Sequence, residues 1–85
     1  MTKQPAVYPL TLSKPNTELE VVAINGGHNL IKRLLAMGIT SGSKLTVIDH
    51  AHAEGLVVRC QDTRWALGKG MAHKILVAES ITIER

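Results

Sequence analysis

The sequence has no phenylalanine, one tryptophan and one tyrosine among its 85 residues. An aromatic core is therefore excluded, and Val, Ile, Leu and Ala must fill the interior. The stacking platforms on which small barrels hold single-stranded nucleic acid are nearly absent too, with Trp65 the one aromatic beyond the first few residues. A single cysteine excludes an internal disulfide and fits a reducing compartment. No run approaches the roughly 18 apolar residues of a membrane-spanning helix. The stretch from Met1 to Pro9 also lacks the apolar segment of a secretory leader, so a cytoplasmic protein is expected. Neither sign of charge dominates: 10 Lys and Arg against 7 Asp and Glu leave +3, too small an excess to identify an anionic partner. At 45% hydrophobic and 20% charged residues, the chain has the composition of a folded globular domain and not of a disordered one.

One stretch organises the rest. From Asn25 to Ser43, Leu30, Leu34 and Met37 recur on one helical face while Lys32 and Arg33 point away, which predicts a helix over 29–37 with Asn29 as its N-cap. Gly38 is the expected stop, taking the left-handed conformation just past the last turn and placing Ile39 against Leu34 in a Schellman-type end. Thr40-Ser41-Gly42-Ser43 then reverses the chain, with Gly42 where a type II turn requires positive φ. Strand signals surround the helix. Residues 1–17 carry all three prolines and read as an irregular lead-in pinned by Leu10 and Leu12; residues 18–85 form the domain. Strand one is expected over 18–24, with Val22 and Ile24 turned inward if its pleat is distorted midway. Strands two to five are expected over 44–50, 56–60, 63–67 and 74–78, with Gln61-Asp62 as a hairpin loop and Gly68 to His73 as a break or one helical turn. Mainly β structure, with five short strands and one short helix between strands one and two, suits a partly closed barrel. Closure removes edges that so short a chain could not otherwise cover.

Catalytic motifs are scarce. Gly68-Lys69-Gly70 is the only candidate phosphate loop, but a Walker pattern needs Gly where Thr63 stands and Ser or Thr where Gly70 stands. Cys60 closes an apolar alternation and reads as a core residue with no activating neighbour. No enzyme is expected, and no cofactor is required. The one metal-ligand constellation is His50-Ala51-His52-Ala53-Glu54: on an extended backbone His50, His52 and Glu54 project to one side, a set that suits Zn²⁺ or Fe²⁺. A fourth ligand from water or a second copy would complete it, the latter making a metal-linked homodimer. The competing reading is a solvated polar loop tip. His28 and His73 are further single candidates.

The run Arg33-Leu34-Leu35-Ala36-Met37-Gly38-Ile39-Thr40-Ser41-Gly42 is preceded by Val-Val-Ala-Ile-Asn-Gly-Gly and followed by Val47-Ile48, Val57-Val58-Arg59, Ala66-Leu67 and Ala72-His73-Lys74-Ile75. It resembles the ferrous iron transport protein A family, FeoA, across residues 9 to 78. Two positions depart from that pattern: Asn16 stands where Gly commonly follows Lys-Pro, and Ser41 where Pro commonly precedes Gly42. Asn tolerates positive φ, and Ser loses only some preorganisation, so the fold is not threatened. The resemblance implies an SH3-like barrel and a cytosolic accessory of the membrane ferrous iron transporter, with the transporter's cytoplasmic GTPase domain as docking partner. The helix offers a surface for this role. Ile31 and Leu35 lie beside the core stripe, with Lys32 and Arg33 at the rim, and a helix on a small barrel need not bury both flanks. Two other classes stand against this reading. One is a metal-responsive regulatory domain similar to the barrel of iron-dependent repressors, which lacks room here for a DNA-binding helix pair. The other is a nucleic-acid-binding barrel using Lys32, Arg33, Arg59, Arg64, Lys69 and Lys74, which lacks aromatics.

Overall fold

The computed structural model describes residues 6–50 and 55–80. Its strands are β1 (Tyr8–Pro9), β2 (Glu18–Ile24), β3 (Lys44–Asp49), β4 (Gly55–Cys60), β5 (Thr63–Gly68) and β6 (Ile75–Glu79); its helices are α1 (His28–Ala36) and α2 (Lys69–His73). The strands all belong to one antiparallel sheet of order β1-β6-β2-β3-β4-β5. The protein is mainly β as expected, but with six strands among the described residues in place of five. The extra strand hides behind its proline. Pro9 cannot donate to a ladder and is tolerated only at a sheet edge, which is where β1 lies, paired to β6 alone.

The inward faces alternate cleanly where the sequence does. Leu19, Leu45 and Cys60 stand opposite one another along β2, β3 and β4, all buried, and Val21, Val47, Val58, Leu56 and Leu67 complete the layer. Two inward assignments fail. Val22 is 42% exposed, because the register shifts between Val21 and Ala23 and Val22 is the extra residue of that bulge. The expected distortion of strand one is thus present, but it turns Val22 outward. Leu12 is 69% exposed, whereas Leu10 is fully buried. Both belong to the 3-10 turn Leu10–Leu12, which is closed by the Ser13 hydroxyl donating to the Leu10 carbonyl at 2.6 Å, so the two leucines cannot share an extended face.

Helix α1 begins two residues earlier than Asn29 as N-cap would set it. Gly27 is the N-cap, with no side-chain cap, and a Cβ on Gly26 would collide with the Leu30 side chain folded back over it. A side chain at Gly27 would meet nothing, so it is Gly26 that lets the chain pass close beneath Leu30 on its way into the helix. Its end is as expected. Gly38 has φ 83, the Ile39 N–H donates to the Leu34 carbonyl at 2.8 Å and the Gly38 N–H to the Leu35 carbonyl at 2.9 Å, which is a Schellman stop. Gly42 follows with φ 95. The second helix, α2, packs on the 3-10 turn and on β4 and β5.

Candidate functional site

A helix advances by about 100° per residue, so Leu30, Leu34 and Met37 share one face of α1, and Ile31 and Leu35 lie next to Leu34 on a single flank. Leu34 is fully buried, Leu30 and Met37 pack partly against the core, and Ile31 and Leu35 are 39% and 58% exposed. The helix is fastened to the sheet less extensively than α2, through Leu34 and the Ile39 that follows its stop. Its outer flank therefore remains in water. Lys32 is exposed beside Leu35 and can rim the flank, whereas Arg33, also exposed, sits on the far side of the helix from Ile31. The expected four-residue face is thus three residues on one flank and one on the other.

The metal constellation is only partly in view. His50 is half-buried just past β3, where its Nε2 meets the carbonyl of Ser13. A carbonyl can only accept, so Nε2 carries the proton in this arrangement, and Nδ1 is the nitrogen left with a lone pair for a metal. His52 and Glu54 lie outside the described residues. Among the described residues, no three His, Cys, Asp or Glu side chains are grouped closely enough to hold an ion. His28 and His73 are both exposed.

Cys60 is buried at 3% exposure, with its Sγ donating to the Gly38 carbonyl at 3.5 Å, and burial pushes its thiol pKa up. It closes the core beneath the helix stop and is not poised as a thiolate. Trp65 stands opposite Val58 and packs against the core, so the one tryptophan is not a free stacking surface.

One arrangement escaped the sequence reading. On the outer face of the sheet, Glu18, Thr46, Arg59 and Arg64 stand opposite one another on β2, β3, β4 and β5 in turn. A groove of about 380 Å³ runs beside this row, walled by Glu18, Lys44, Thr46 and Arg59 among others. The signal was available. A two-residue loop at Gln61-Asp62 pairs Cys60 with Thr63 and so must pair Arg59 with Arg64.

Comparison with known proteins completes the description. The sequence model of the FeoA domain matches residues 8–79. A protein of Methanocaldococcus jannaschii named "Putative Fe(2+) transport protein A" is 35% identical over 74 residues, 87% of this chain and 89% of its own. The crystal structure of an iron uptake regulatory protein (FeoA) superposes with a TM-score of 0.81 at 34% identity, covering 88% of this chain and 100% of the other. A manganese-dependent transcriptional repressor in complex with manganese superposes with a TM-score of 0.82 at 19% identity, over 92% of this chain and 39% of the repressor, which is a likeness of fold alone.

Proposed function

The chain belongs to the FeoA domain family, and on that premise we propose that it serves ferrous iron uptake as a small SH3-like barrel in the cytoplasm. There it binds the membrane ferrous iron transporter through that transporter's cytoplasmic GTPase domain and regulates it. It acts by binding and carries out no catalysis of its own. No helix among the described residues is long and apolar enough to cross a membrane.

The observation that carries this reading is the exposed Ile31–Leu35 flank beside the fully buried Leu34. Exposed aliphatic side chains at i and i+4, rimmed by Lys32, have the form of a helix surface that docks on another protein. Leu35→Glu tests it. Binding of the transporter's purified cytoplasmic domain should weaken at least tenfold, while the melting temperature of the free protein stays within a degree or two. Retained binding would refute the flank as the docking site.

His50, His52 and Glu54 form a second, auxiliary element of the proposal, a divalent cation site whose occupant in vitro is Zn²⁺, which outcompetes Fe²⁺ at imidazole and carboxylate ligands. His50 ligates through Nδ1 while its Nε2–H holds the Ser13 carbonyl, an outer hydrogen bond of the kind that orients metal-binding imidazoles. A ligand from a second copy would then link two molecules.

A further inference from the structure

We propose that Arg59 and Arg64 form a carboxylate-binding pair on the outer face of the β4–β5 hairpin, which receives an acidic, extended segment of a partner protein. Residues directly opposite in an antiparallel pair have Cβ atoms about 4.5–5.5 Å apart, and like charges so placed repel. Arg59 and Arg64 are in direct register, and both are exposed. The neighbouring row shows the contrast: there Lys44 stands opposite Glu20, a matched pair. Across the other side of Arg59 the neighbour is Thr46, which is neutral, and Glu18 lies one strand further on β2. Asp62 sits in the hairpin loop and is in register with neither arginine.

The two arginines therefore repel each other, with no carboxylate directly opposite either of them to relieve the repulsion. Each offers a planar fork that binds a carboxylate through two parallel hydrogen bonds, so an acidic side chain placed between them turns a repulsion into two charge-assisted contacts. The 380 Å³ groove beside Arg59 gives the rest of such a segment a place to lie, with Lys44 on its wall. Glu18, which also lines the groove and lies two strands from Arg59, limits the cationic stretch, which favours a short acidic segment over a long polyanion. Trp65 faces the core and so cannot supply a stacking face for nucleic acid.

The test is fluorescence anisotropy with a fluorescein-labelled octa-glutamate peptide in 50 mM salt, against wild type, the Arg59→Gln/Arg64→Gln double variant and the charge-matched Lys69→Gln/Lys74→Gln double variant. The arginine variant should bind at least tenfold more weakly, and the lysine variant less than threefold more weakly. Equal losses would reduce the effect to net charge and overturn the proposal. So would full displacement of the peptide by a few millimolar inorganic phosphate, or tighter binding of a single-stranded octanucleotide that depends on the same arginines. No binding to wild type overturns it as well. An independent readout needs no ligand: Arg64→Gln should raise the melting temperature in low salt, and the gain should vanish in 1 M salt. A lowered melting temperature would show that the pair is not repulsive and would remove the premise. Because α1 is untouched by these substitutions, failure here leaves the docking flank standing.

Discussion

At the scale of single residues, Gly38 does what no L side chain could do cheaply. Its φ of 83 closes the Schellman stop, and nothing lies within 4 Å of where its Cβ would stand, so the constraint there is backbone strain and not space. Gly38→Val should destabilise the protein by about 1–3 kcal/mol, visible as a melting temperature lower by roughly 4–8 °C per kcal/mol in a domain of this size. An unchanged melting temperature would show that the stop is not needed. His50 sets a second residue-scale expectation. Isothermal titration at pH 7.5 should show Zn²⁺ binding by wild type that is lost in the His50→Ala/His52→Ala variant. Binding should also weaken in acid, since a protonated imidazole has no lone pair for the metal. Equal binding by both proteins would dismiss the site.

Helix α1 is the element on which packing and recognition separate most sharply. Leu34 and Leu35 are neighbours in sequence, yet one is fully buried and the other 58% exposed. Leu34→Ala should cost about 2–5 kcal/mol by opening a cavity, whereas Leu35→Ala should stay within about 0.5 kcal/mol; urea denaturation measures both. The helix and its stop were legible because Leu30, Leu34, Met37, Gly38 and Gly42 each obey a local rule. The five longer strands were legible too, β3 and β4 from their alternation and β6 as a short apolar run, Ile-Leu-Val-Ala. Positive φ at Asn16 (64) agrees with the tolerance expected of Asn in place of Gly. What was not legible depends on contacts distant in sequence. Tyr8–Pro9 becomes a strand only because β6 is there to receive it, and Val22 turns outward only because β2 is bulged against β6. The candidate flank could be named from helical periodicity, but its exposure could not. Arg33 was misplaced beside Lys32 by reading adjacency in sequence as adjacency on the surface.

For the molecule as a whole, the titration of two groups ties stability to alkaline pH. Burial, and secondarily the charge of Glu79, raise the Tyr8 pKa above its ordinary 10.0, and burial raises that of Cys60 above its ordinary 9.0. Both groups lose their protons more easily when the chain unfolds, so the unfolded state binds fewer protons in this range and stability falls as pH rises. The contribution is intact below about pH 9 and is lost progressively above it. Melting temperatures should be flat from pH 7 to 8.5 and fall by pH 10.5, with a shallower fall in Tyr8→Phe and Cys60→Ala. A fall of undiminished steepness in both variants would assign the effect to other groups. Strand order carries a different consequence. Strands β3, β4 and β5 are consecutive neighbours, but β1 and β2 both pair with β6, some 50 to 70 residues later in the chain. On refolding, the local meander can form through its short connections, and β2 can join it through β3. One side of β2 and all of β1 stay unpaired until the segment Ile75–Glu79 docks between them, so the order of assembly is set by that one distant strand.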